Sequence, residues 1–133
     1  MTVIAFNFTK IIAQRKRPVK GKISVTNNVD VRKVEEAKLS LNEKKGAMRV
    51  DFSFTTKYEP DVGSITLEGD LVYLDTDATV AEAIATWKKT KRLPKPVMNP
   101  ILQAVFTKCH IEGLLMSKDL NLPPPIRLPT PQV

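Results

Sequence analysis

Apolar and polar residues alternate most strictly between Met48 and Tyr73. Met48, Val50, Phe52, Phe54 and Tyr58 fall on one face of an extended chain, with Arg49, Asp51, Ser53, Thr55 and Lys57 on the other. After the turn Glu59-Pro60-Asp61, Ile65, Leu67, Leu71 and Tyr73 repeat the pattern against Ser64, Thr66, Glu68 and Asp70. Alternation with period two over this length predicts an antiparallel hairpin with one buried and one wet face. Upstream, Ile4, Phe6 and Phe8 alternate, and the apolar phase then moves to Ile11 and Ala13. A change of phase inside one extended run predicts a β-bulge near Thr9–Lys10. Lys22–Val25 and Val29–Val34 read as β-branched runs separated by Asn27-Asn28, which can turn or bulge the chain. Leu39, Leu41 and the stretch Asn42–Gly46 read as the end of this region, in a charged, exposed turn.

The period changes after Asp75. Thr79 followed by Glu82 has capping-box spacing, and Val80, Ala83, Ile84 and Trp87 then share one helical stripe. Lys88, Lys89, Lys91 and Arg92 suit the negative end of that helix, and Pro94 and Pro96 break the chain. A second, longer helix is expected from about Pro96 to Ser117, with Gly113 as a place for a kink. Its Ile101, Leu102, Val105, Phe106, Cys109, Leu114 and Leu115 cover more than a narrow stripe, which predicts a largely buried helix. The proline-rich tail can be neither regular helix nor central strand. The pattern thus predicts one α+β domain over residues 1–120, an antiparallel sheet of four or more strands with a short and a long helix, and an extended tail over 121–133.

Charge changes this picture from a fold to a binding question. The chain of 133 residues has a net charge of +7. Eleven basic residues face four acidic ones over residues 1–45, two face eight over 46–87, and eight face two over 88–133. Two basic segments around an acidic middle predict faces of opposite sign, one suited to a polyanion. Arg15, Lys16, Arg17, Lys20 and Lys22 form one cluster, where Pro18 and Gly21 favour an extended arm able to follow a phosphate backbone. Lys88, Lys89, Lys91, Arg92 and Lys95 form the second. Neither interleaves with aromatic residues, so base stacking is not indicated and phosphate contact on structured RNA fits better.

Chemistry is sparse by comparison. Cys109 and His110 are the single cysteine and histidine. As helical neighbours they diverge by about a quarter-turn, whereas Cys–His catalysis needs them to converge. Cys109 reads as a core thiol and His110 as a residue of the wet side. No ligand spacing suggests zinc, no glycine pattern cradles phosphate, and no cofactor or catalytic activity is expected. One cysteine cannot form an internal disulfide, which points to a reducing, cytoplasmic setting. The apolar start Met1–Phe8 lacks a charged n-region and reads as a strand, and no apolar stretch is long enough to cross a membrane.

The order of elements resembles the SecB family: a run of strands, the pair from Met48 to Leu74 with Leu67-Glu68-Gly69-Asp70, two helices, and a closing Leu-Pro-Pro-Pro-Ile. Pro100-Ile101-Leu102-Gln103-Ala104-Val105 is similar to the start of that family's long helix, and Asn121–Ile126 to its closing segment. The resemblance covers most of residues 1–128 and implies an export chaperone that holds unfolded polypeptides in long apolar grooves, usually as a tetramer. Two features depart from it. SecB proteins are acidic where this chain is basic, and their metal-binding tail has no match here. The chain instead resembles the archaeal SecB-like proteins, some of them recruited to the ribosome, and a basic arm is what that recruitment would require. Two expectations result: first, binding of rRNA beside neighbouring ribosomal proteins, through the two basic clusters; second, capture of unfolded polypeptide clients through apolar surface. An antitoxin-type or adaptor chaperone with one dedicated protein client ranks third, below both. Exposed sheet edges would allow a homo-oligomer.

Overall fold

The computed structural model describes residues 2–18, 21–37 and 45–123. Four strands, β1 (Thr2–Arg15), β2 (Ser24–Ala37), β3 (Lys45–Glu59) and β4 (Gly63–Thr76), precede α1 (Asp77–Thr90) and α2 (Lys95–Asp119). The sheet is antiparallel in the order β1-β4-β3-β2, so β1 and β2 are its edges. The predicted central hairpin is present, with Val50 opposite Leu71 and Phe54 opposite Leu67. Its alternation holds except at Ser53, which is buried on the polar face. Met48, Val50, Phe52, Phe54, Ile65, Leu67, Leu71 and Tyr73 are buried, whereas Arg49 and Lys57 are exposed.

The phase change in β1 is a real bulge, with the register slipping between Phe8 and Lys10 and once more between Val3 and Ala5. These bends press β1 onto β4. A Cβ at Gly69 would collide with the Asn7 carbonyl oxygen and the Phe52 ring, and one at Gly63 with the Gln14 carbonyl oxygen. Glycine is the residue that lets the two backbones approach so closely.

Three expectations are corrected. Asn27-Asn28 neither turns nor bulges the chain; β2 runs straight through it, and its irregularity lies between Val31 and Lys33. Thr56 explains why, because this buried hydroxyl on β3 bonds the Asn27 amide oxygen at 2.7 Å. The cap of α1 is Thr76 rather than Thr79. Its hydroxyl oxygen accepts the Thr79 amide at 3.3 Å, so the helix begins as soon as β4 ends. Finally, α2 buries only a narrow stripe. Val97, Ile101, Val105, Cys109, Gly113 and Ser117, each four residues apart, face the core, and the helix continues through Gly113. Phe106 and Leu115 are exposed.

Both helices pack with the apolar face of the sheet into one core, which holds Trp87 and Val80 of α1 beside Met48 and Tyr73. The direction of α2 follows from its contacts. Phe106 and His110 lie against Phe54, whose row contains Leu67 and Ile11. Beyond the helix, Leu122 is buried and the Pro123 carbonyl accepts the Tyr58 hydroxyl at 2.7 Å, at the sheet end where Gly63 meets Arg15. The helix therefore runs along the sheet in the same sense as β1. Of the charged turn expected over Asn42–Gly46, residues 42–44 lie outside the described residues, as do Leu39, Leu41 and the tail from 124 onwards, whereas Lys45 and Gly46 already belong to β3, paired with Thr76 and Asp75.

Candidate functional site

The apolar residues that the core does not take up are concentrated on two elements. On α2, Ile111 is 55% and Leu115 52% exposed; on β1, Ile4 is 47%, Ile12 45% and Ile11 43% exposed. Scattered exposed apolar residues are ordinary, but a contiguous set bounding a groove marks a binding surface. Here a groove of about 520 Å³ opens between Val3–Phe6 of β1 and Gln103, Ala104, Thr107 and Lys108 of α2. Its volume falls within the range of sites that enclose a small ligand or a few side chains, roughly 300–1,000 Å³. Ala104, Lys108, Ile111 and Leu115 follow one another at intervals of four, three and four, so they lie on one helical face. The apolar surface thus continues from the groove along the last turns of α2.

Aromatic rings brace both walls. Phe6 stacks on Phe52 at 4.9 Å between centroids and meets Phe8 edge-on at 5.3 Å. On the helix side His110 leans on Phe54 at 5.7 Å and on Phe106 at 5.5 Å. Expected on the wet side, His110 is instead half-buried among these rings, and burial holds its pKa below the ordinary value. Cys109 is fully buried; burial, aided by the Glu112 charge, pushes its thiol up to about 12. A thiol so far from ionising is a poor nucleophile and packs as an apolar group. Among the described residues no three His, Cys, Asp or Glu side chains are grouped to hold a metal.

The basic residues do not form one patch. Arg15 ends β1 opposite Gly63; Lys16 pairs with Asp61 at 3.1 Å, and Arg17 donates to the Pro60 carbonyl, so both grip the β3–β4 turn. Lys22 is exposed nearby in sequence, and Lys20 lies outside the described residues. Lys88 lines a second groove with Glu36 and Gly46, at the other end of β3, where the sheet meets α1. Fifteen residues of β3 separate the two ends by roughly 45 Å at about 3.3 Å per residue. Lys89, Lys91, Arg92 and Lys95 are exposed after Lys88, and Lys91 lies 5.8 Å from the Trp87 ring centre.

The acidic middle segment does not make a negative face either. On the wet side of the sheet Glu68 pairs with Arg32 at 2.6 Å and Lys10 at 3.6 Å, and Arg49 bridges Asp70 and Asp51 at 3.0 and 3.5 Å. Cations from neighbouring strands cancel the carboxylates locally. No helix among the described residues is long and apolar enough to cross a membrane.

Neither protein-family models nor curated proteins match this chain. Among solved structures it is similar to the SecB-like chaperone of Mycobacterium tuberculosis, in complex with a ChAD peptide from the HigA1 antitoxin. The match covers 99% of this chain and 91% of that one, with a TM-score of 0.57 and 12% identity. The chain has a SecB-like fold. The shared architecture is a four-stranded antiparallel sheet followed by two helices, as the sequence resemblance implied.

Ile4 and Lys108 in the groove, and Ile111 and Leu115 beyond it on α2, were not among the candidate binding residues read from the sequence. Two signals pointed towards them without identifying them: the apolar face of α2, too broad for its stripe, and the double phase of β1.

Proposed function

We propose that this protein is a SecB-type holdase that binds unfolded polypeptide through the apolar surface between β1 and α2. The observation that carries this reading is the groove between Val3–Phe6 of β1 and α2, with Ile4 exposed in its wall and Ile111 and Leu115 exposed further along the same helical face. The SecB-like fold, shared with a chaperone whose structure holds a peptide, supports it. Each apolar side chain a client buries there contributes about 25 cal/mol per Å² removed from water. The outer backbone edge of β1 lies alongside and offers hydrogen bonds that do not depend on client sequence. Such capture calls for no covalent chemistry. It also reverses the order of the two functions read from the sequence, where charge put rRNA first.

The second reading, rRNA binding, has one observation in its favour: Lys88, Lys89, Lys91, Arg92 and Lys95 are all exposed. Light scattering of a chemically unfolded protein diluted into buffer separates the two. The holdase suppresses aggregation at low and high salt, because apolar capture persists with salt. The double substitution Ile111→Asp with Leu115→Asp weakens that suppression. Unchanged aggregation, together with salt-sensitive co-sedimentation with ribosomal particles, would overturn the holdase reading in favour of RNA.

A further inference from the structure

We infer that the groove between β1 and α2 prefers apolar segments that carry an aspartate or glutamate beside their apolar residues, and that Lys108 reads the carboxylate. This deepens, and rests on, the polypeptide-binding reading above. Lys108 is the single charged residue lining the groove; Val3–Phe6 and Ala104 are apolar, and Gln103 and Thr107 are neutral. Its ammonium group is exposed and engaged in no ion pair among the described residues. Glu112, one turn further along α2, is half-buried and acts on the Cys109 thiol, but makes no ion pair with Lys108. On β1, Lys10 is held by Glu68 on the opposite face of the sheet. The groove therefore presents one unmatched positive charge between uncharged walls, apolar on the β1 side.

Position makes that charge selective. Lys108 shares its helical face with Ala104 before it and with Ile111 and Leu115 after it. From Ala104 to Ile111 the helix rises about 10 Å at 1.5 Å per residue. An extended client covers that length in about three residues at 3.3 Å each. An extended client on this face points alternate side chains at the helix, so a carboxylate among those that face α2 over the stretch from Ala104 to Ile111 comes within reach of the Lys108 ammonium. A lysine or arginine there meets a like charge instead. The net charge of +7 adds a long-range attraction for acidic segments and a repulsion for basic ones.

The test is fluorescence anisotropy with three labelled peptides that share one Leu/Phe core and carry Glu, Gln or Lys beside it. The Glu peptide is expected to bind roughly two- to fivefold more tightly than the Gln peptide, the size of one exposed ion pair, with the Lys peptide weakest. Lys108→Glu reverses that order, with the fold checked by circular dichroism. Lys57→Glu, an equal charge change on the wet face, keeps it. Equal binding of the three peptides overturns the inference, as does a Lys57→Glu shift as large as that of Lys108→Glu. If none of the peptides binds, the polypeptide-binding reading falls and the inference falls with it.

Discussion

The Thr56 hydroxyl of β3 donates to the Asn27 side-chain oxygen of β2 at 2.7 Å, a cross-strand bond between polar groups on the helix-covered face of an otherwise apolar sheet. Thr56 is fully buried, so its hydroxyl depends on a protein partner. Asn27→Ala is expected to cost about 1–2 kcal/mol, because it leaves a buried polar group unpaired. With Thr56→Val already present, the same change should cost less. Urea unfolding of the two single variants and the double variant measures the coupling, and strict additivity would show that the bond contributes nothing.

The start of α1 gives a second test. Thr76→Ala removes the side-chain oxygen that accepts the Thr79 amide and should cost about 1 kcal/mol. Thr79→Ala leaves that backbone bond in place and should cost less. The reverse ranking in thermal melts would return the cap to Thr79, where the sequence spacing put it.

That misplacement shows what was legible. The hairpin β3–β4 could be read because each residue's face is decided by its immediate neighbours. The β1 bulge could be read because Phe8 and Ile11 are out of phase along a single strand. Asn27 could not, since its partner Thr56 is 29 residues away and only strand pairing brings them together. Thr76 was hidden by a better local match three residues on. The two basic clusters were visible as sequence, but the roughly 45 Å between the ends of β3 was not. The exposed faces of Ile111 and Leu115 depend on which stripe of α2 meets the sheet, a tertiary choice that apolar content alone does not fix.

Gly69→Ala tests the close approach of β1 and β4. The added Cβ meets the Asn7 carbonyl oxygen and the Phe52 ring, so the strands must part. A loss of about 1–3 kcal/mol is expected, the usual size of overpacking. Amide exchange in β1 should accelerate more than in β2, which is paired with β3 on the far side of the sheet.

His110 sets a pH dependence. Burial against Phe54 and Phe106 lowers its pKa in the folded protein from the ordinary 6.5. As the pH falls below about 6.5, the unfolded chain takes up a proton that the folded protein resists, so stability declines. Above that value the contribution is fully present. His110→Phe should flatten the slope of stability against pH in this range, which denaturant titrations between pH 5 and 8 would measure.

Cys109 should be silent to thiol reagents in the native state. With its pKa raised to about 12 and its side chain buried, labelling by a disulfide reagent at pH 8 requires unfolding. The labelling rate should therefore track global stability and rise with urea. Rapid labelling in native buffer would mean that α2 opens locally.

The four-residue repeat on α2 has a consequence for how this chain can change over evolutionary time. Val97, Ile101, Val105, Cys109, Gly113 and Ser117 meet the core only while every interval between them stays at four. One residue inserted near Gln103 would swing everything after it by about 100° around the helix axis. Core positions would then pass to different residues, and Ile111 and Leu115 would turn away from the face they now share with Ala104. Insertions and deletions are therefore expected to be rare within the helix and to collect beyond Ser117. Substitution at the exposed positions, by contrast, can alter the groove without disturbing the frame that holds it.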